Sequence, residues 1–160
     1  YMGKIMKSLM VGRAKDILKR SIGKGPISGI ASGTVVTVLV QSSSTTTSLM
    51  VPLVGSGVLK ARDIYPFTLG ANIGTCITAL IAAFGVSGDN AMFALQIALV
   101  HLLYNVLAVL LIFSVAFLRE LPPKLSYLLS VKASDNKLYG LAYIAGLFFI
   151  LPLSVIFVAQ

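Results

Sequence analysis

Charged side chains are scarce in this 160-residue sequence. They make up 11% of it, against about a quarter in a soluble domain, while 57% is hydrophobic and the mean hydropathy is +0.93. So little polar surface excludes a water-soluble fold, and the chain reads as an all-α integral membrane protein. Acidic residues are the rarer sign, five against thirteen Lys and Arg. In a soluble protein that excess would point to nucleic acid. Here no aromatic residues interleave with the basic cluster as single-strand recognition requires, so nucleic acid is set aside as a partner. The basic residues sit in short polar connections between apolar segments, where they set topology and meet the headgroups of the lipid bilayer. The single cysteine, Cys76, excludes an internal disulfide and a cysteine-based zinc cluster. No signal-peptide pattern with a small-residue cleavage site stands at the start. Residue 1 is Tyr, and the chain is expected to be a fragment or a half-size subunit, with one membrane domain over 1–160.

What is present is a succession of apolar stretches. Residues 1–26 alternate apolar and basic residues near helical spacing and read as a basic amphipathic segment at the membrane interface, ended by Gly25-Pro26. Residues 27–59 are apolar except for Gln41–Ser48. As one helix they would run about 50 Å, well beyond a hydrocarbon core of about 30 Å. Broken at the polar run they give arms 28–40 and 45–59 of about 20 Å, each too short to cross. Two short arms meeting at a polar tip describe a re-entrant hairpin. Residues 65–86 are long enough to span, and Gly70, Asn72 and Gly74 predict a break at membrane depth. Residues 91–118 and 139–159 are two further transmembrane helices, separated by a polar loop over 119–137 with Pro122-Pro123 and four basic residues.

Charge placement tests the hairpin. If 27–59 re-enters, all thirteen basic residues fall on one side and the Gly85–Asn90 turn, without Lys or Arg, on the other. If it spans, they fall on both. The positive-inside rule therefore favours the hairpin, with the basic segments cytoplasmic.

Polar groups at membrane depth need partners, and a dense cluster of them lines a cavity or a site. Gln41–Ser48 offers a hydroxyl or amide at every position. Hydroxyl and carbonyl oxygens suit a hard cation such as sodium. Free amides and the positive dipole end where the second arm begins, near Ser44-Thr45, suit an anion, and carbonyls at the end of the first arm, near Val40-Gln41, suit a cation. The break at Gly70–Thr75 would add Thr68, Asn72, Thr75 and Thr78 as oxygen donors. Without Lys or Arg in either element, a bound anion must be neutralised by dipoles, hydroxyls and bound cations, which ties the binding of one to the other.

Some positions carry competing readings. Isolated Ser and Thr, such as Ser114 and Ser154, bond to carbonyls of their own helix. His101 is either a helix-packing residue or a proton-sensitive group. An intramembrane serine hydrolase would need Ser32 or one of Ser42–Ser44 beside it. Three adjacent serines without one positioned nucleophile fit ion coordination better, so no catalytic residue and no enzyme activity are expected. Cys76 reads as a small packing residue, and Gly55, Gly57, Gly140 and Gly146 as sites of close helix contact.

At QSSSTTTSLMVPLVGSGVL, YPFTLGANIGT and LQIALVHLLYN the sequence resembles the type II sodium–phosphate cotransporter family, and the order matches that family's C-terminal repeat from about residue 2 to the end. The resemblance implies one half of an inverted-repeat transporter, with two facing QSSS hairpins that bind sodium and inorganic phosphate together. Gln41, Ser42, Ser43 and Ser44 would bind phosphate. Gln41, Ser42, Ser43, Thr45, Thr68, Asn72, Thr75 and Thr78 would bind sodium, the coupling ion, with no other metal or cofactor. The partner half would be a missing N-terminal repeat or a second copy of this chain. Ala71 stands where many relatives have Ser, and Cys76 interrupts a run that is often all Thr, so each removes one oxygen ligand. The implied activity is sodium-dependent phosphate symport across a plasma membrane. The alternatives are symport of another small anion, a phosphate-sensing or channel-like subunit, and the hydrolase. Compact loops point to a bacterial inner membrane.

Overall fold

The computed structural model describes residues 24–159, so the expected interfacial segment 1–26 lies outside them apart from its last three residues. All regular structure among the described residues is helical. Helix α1 (Pro26–Val40) starts with proline in its first turn, where a missing N–H costs nothing, and stops at Gln41. Two short helices follow, α2 (Ser43–Ser48) and α3 (Val51–Gly55). They are separate because Pro52 has no N–H to give the Ser48 carbonyl. Helix α4 (Ala61–Ala83) opens with the Lys60 backbone N–H donating to the Asp63 carboxylate at 3.0 Å. Helix α5 (Ala91–Ser114) follows a short turn and ends at the extended Val115.

Helices α1 and α4 make the closest contact, and they run parallel. Contacts advance together along both: Gly29 lies against Pro66, Gly33 against Phe67 and Ala71, and Gly74 against Thr34 and Thr37. The segment between them must therefore return to the end where α1 begins. On the way, Met50 packs with Val36, Val40 and Phe67, flanked by Leu49, Leu53 and Ile64. Helix α5 then runs back antiparallel to α4, with the Cys76 thiol near the His101 carbonyl.

The glycines of α4 correct one expectation. Helix α4 is continuous over 23 residues, without the break expected at Gly70–Thr75. Gly70 and Gly74 sit instead where backbones meet. A Cβ at Gly70 would strike the Ile30 carbonyl, one at Gly33 the Phe67 carbonyl, and one at Gly74 would come within 2.7 Å of the Thr34 carbonyl. Two small-xxx-small stripes, Gly29/Gly33 and Gly70/Gly74, thus face each other. The Thr34 hydroxyl donates across this contact to the Gly70 carbonyl at 3.0 Å. Such bonds average about 0.6 kcal/mol in membrane proteins, so close packing supplies most of the adhesion. Conversely, nothing lies within 4 Å of a Cβ built at Gly55, Gly57 or Gly146, and the one at Gly140 would meet only an ordinary 3.6 Å contact. The expected close contacts at those four positions are not formed. Gly57 instead takes a φ of 75° in the turn after α3.

The chain divides into two compact units, one ending at Arg119 and one beginning at Glu120. The second corrects the expected 119–137 loop, which is helical as part of α6 (Ala116–Asp135). Leu121, Leu125, Leu128 and Leu129 recur at helical spacing beneath its polar composition, and Lys124 pairs with Glu120 at 3.0 Å. Asn136 caps α7 (Lys137–Ala145), accepting the Leu138 N–H at 2.9 Å. A π turn over Gly146–Ile150 joins α7 to α8 (Leu151–Val158) without interruption. Pro152 cannot donate to the helix, and the widened turn absorbs that loss.

Three helical stretches are long and apolar enough to cross a membrane: Ala61–Ala83, Ala91–Ser114 and Lys137–Val158. At 15 residues α1 reaches only about 22 Å, shorter than a hydrocarbon core of about 30 Å.

Candidate functional site

The polar run begins where α1 stops. Gln41 adopts a left-handed conformation (φ 57°, ψ 26°) and caps α1 twice. Its backbone N–H donates to the Thr37 carbonyl at 2.8 Å, and its Nε2 to the Val38 carbonyl at 2.8 Å. Ser42 is extended, and its hydroxyl accepts the Thr45 N–H at 3.2 Å, capping α2. The Ser43 and Ser44 hydroxyls have no hydrogen-bond partner among the described residues. Thr46 is fully buried and donates to the Ser42 carbonyl at 2.9 Å, which ties α2 to its own cap.

The second arm differs from its expected form. Helix α2 has six residues, and in its first turn the Ser42 hydroxyl takes the Thr45 N–H. A dipole of about half a charge belongs to a longer helix, so what the tip can offer an ion is mainly hydroxyls, amides and carbonyls. The first arm matches its expectation better, since the tip carries the carbonyl end of a 15-residue helix.

The expected α4 ligands fall at different levels. Because α1 and α4 are parallel and Thr37 lies against Gly74, Gln41 and Thr78 stand level with each other, one turn further on. Thr68 and Thr78 are roughly 15 Å apart along an unbroken helix at about 1.5 Å per residue, so they serve no single ion. Thr68, Asn72 and Thr75 share one stripe at i, i+4 and i+7. Asn72 is exposed, on the side of α4 opposite Gly70. The Thr68, Thr75 and Thr78 hydroxyls donate to the carbonyls of Tyr65, Ala71 and Thr75 at 2.8, 3.1 and 2.8 Å. A hydroxyl that donates to backbone keeps its lone pairs, so each remains an oxygen ligand for a cation.

Thr37 was not singled out by the sequence. It is fully buried at the α1–α4 contact, and its hydroxyl has no hydrogen-bond partner. The available signal was its position four residues before Gln41, on the same helix face. Cys76 is buried between α4 and α5 as a packing residue, as expected. His101 lies on an exposed face of α5, in a groove with Gln96, Ile97, Val100 and Tyr104 and no serine. Ser32 is buried on α1, donating to the Gly29 carbonyl at 2.9 Å. Among the described residues, neither Ser32 nor Ser42–Ser44 lines the His101 groove.

Comparison with known proteins fits a membrane chain whose polar break interrupts short helices. Sodium-dependent phosphate transport protein 2B of Bos taurus and of Homo sapiens is in each case 35% identical over 161 residues, covering 95% of this chain and 23% of the relative. Sodium-dependent phosphate transport protein 2C of Rattus norvegicus is 36% identical over 160 residues, covering 94% and 26%. The chain thus spans about a quarter of the length of the curated relatives it matches. No solved structure matches it. The family model described as Na+/Pi-cotransporter matches residues 1–121, a stretch that holds α1 through α5 and the whole Gln41–Ser48 run. The chain belongs to the Na+/Pi-cotransporter family.

Proposed function

We propose that this chain supplies one of two QSSS half-sites of a sodium-dependent symporter of inorganic phosphate in a plasma membrane, which in a bacterium is the inner membrane. The observation that carries the reading is the Gln41–Ser44 turn. A left-handed glutamine and an extended serine separate two helices, with two neighbouring hydroxyls uncommitted, in a chain of this family. Phosphate binds at Gln41, Ser42, Ser43 and Ser44. Sodium binds through Gln41, Ser42, Ser43, Thr45 and Thr78 at the tip, and through Asn72 and Thr75 one to two turns below. Thr68 belongs to a lower, separate group. The other half-site comes from an N-terminal repeat or from a second copy of the chain.

The coupling follows from charge. Neither Gln41–Ser48 nor Thr68–Thr78 contains Lys or Arg, so phosphate in the site is offset by hydroxyls, amides and the bound sodium ions. Burying the anion without them is prohibitively costly. Each solute therefore raises the affinity of the site for the other.

The hairpin 27–59 enters and leaves on one side of the membrane. Support comes from the parallel run of α1 and α4 and from basic residues at the end where both begin, Lys24, Lys60 and Arg62 among them. The Gly85–Asn90 turn at the other end has none. The basic end is cytoplasmic. The test is uptake of labelled phosphate by cells carrying the intact protein. Uptake should require sodium and disappear in Ser43→Ala or Gln41→Ala; uptake unchanged when choline replaces sodium sinks the reading.

A further inference from the structure

Helix α6 has two chemically different sides. Leu121, Leu125, Leu128 and Leu129 recur at i, i+4, i+7 and i+8 and form one stripe, while Ser126, Ser130 and Ser134 recur at i, i+4 and i+8 on the opposite side. No residue of α6 is buried, and Leu125 and Leu128 are 55% and 58% exposed. Lys132 follows Leu128 by four residues and ends the leucine stripe, where its apolar stem lies with the leucines while its ammonium reaches outward. The Lys124–Glu120 pair stands at the border of the two sides. The half-site proposed above uses none of these residues.

The connections of α6 decide what lies against the leucines. Only Val115 stands between it and α5, and only Asn136 between it and α7. Helix α5 and the α7–α8 stretch are each long and apolar enough to cross a bilayer, so the end of one and the start of the other lie at a membrane surface. Both ends of α6 are therefore held at a surface. At 20 residues it is about 30 Å long, and Pro122-Pro123 do not interrupt it. A rod of that length pointing into water would carry the start of α7 away from the bilayer it enters. A rod crossing to the far surface would take Glu120, Lys124 and Lys132 through the hydrocarbon, which is costly. The remaining course runs along the surface, where a helix with one apolar and one polar side is stable.

We propose that α6 is an interfacial helix whose partner is the bilayer surface itself. Its leucine side sinks to the boundary between headgroups and acyl chains, and its serine side faces water. Lys132 reaches the headgroup phosphates from the end of the leucine stripe. This placement rests on α5 and α7–α8 crossing the membrane, and not on what the Gln41–Ser44 turn binds.

The intact protein containing this chain, in a background without other cysteines, is reconstituted in vesicles of phosphatidylcholine and phosphatidylglycerol. Single variants Leu125→Cys, Ser126→Cys, Leu128→Cys and Ser130→Cys each carry a nitroxide label. Its collisions with oxygen, which concentrates among acyl chains, are compared with its collisions with a water-soluble nickel chelate. The oxygen-to-nickel ratio should be severalfold higher at 125 and 128 than at 126 and 130, following the helical period of about 3.6 residues. If a label on the leucine side prevents purification, Leu121→Cys and Ser134→Cys carry the same comparison. Nickel access at all positions would put α6 in water. Leucine positions shielded from both reagents would put a protein surface over them, and oxygen access at all positions would put the helix inside the bilayer. Each of these three results overturns the proposal.

Discussion

Gln41 is the only non-glycine residue with positive φ among the described residues. A side chain in that conformation costs about 1–2 kcal/mol relative to glycine, so its presence there points to use. Gln41→Gly should therefore raise the thermal midpoint in detergent, followed by circular dichroism, while abolishing sodium-dependent uptake. The neighbouring serines separate in the same way. Ser42 caps α2, so Ser42→Ala should cost about 1 kcal/mol as well as activity. Ser43 caps nothing, and Ser43→Ala should leave the midpoint unchanged while uptake is lost. Thr37 carries the opposite expectation. A buried hydroxyl without a partner costs about 1–3 kcal/mol, so Thr37→Val should stabilise the protein. The break at Gln41–Ser42 was legible because eight polar residues interrupt an apolar run. Thr37 was not, because what surrounds a lone threonine depends on a helix thirty-odd positions away.

The same glycines led to opposite conclusions at the level of the helix. Gly70 and Gly74 suggested a break because glycine weakens a helix in water by about 1 kcal/mol. In a membrane, however, glycine also lets two backbones approach. Only the partner helix decides between these effects, and α1 carries a matching pair, Gly29 and Gly33. That complementarity was present in the sequence as two small-xxx-small stripes, but nothing local said that they meet. Gly70→Ala should force α1 and α4 apart and cost about 3 kcal/mol by overpacking. Gly146→Ala, where a Cβ meets nothing within 4 Å, should be nearly neutral. A thermal melt of both variants in one detergent checks the contrast, and equal shifts would mean that the α1–α4 contact does not stabilise the fold. The 119–137 segment misled for a related reason. Its Pro-Pro pair and charges looked like a loop, but its leucines keep helical spacing, and spacing outweighed composition.

For the whole molecule, arm length and charge carried more information than any single motif. The three long apolar stretches were legible from hydropathy, because each is long enough to cross a hydrocarbon core of about 30 Å. The direction of the chain is an expectation that rests on where the basic residues fall. The parallel run of α1 and α4 now adds a reason of a different kind: the chain must come back between them, whatever the charges do. These two lines meet in one experiment. In a Cys76→Ala background of the intact protein, single cysteines replace Ser56, Lys60, Gly88 and Asp89, and a membrane-impermeant thiol reagent is applied to cells and then to inverted vesicles. Positions 56 and 60 lie on the return path and at the start of α4, whereas 88 and 89 lie in the turn between α4 and α5. Cysteines at 56 and 60 should react only in inverted vesicles, and those at 88 and 89 only in cells. Had 27–59 crossed the membrane, that pattern would be reversed while the basic N-terminal residues stayed inside. Labelling of 56 and 60 from the cell exterior would therefore remove the hairpin, and with it the geometry that holds Gln41–Ser44 at membrane depth.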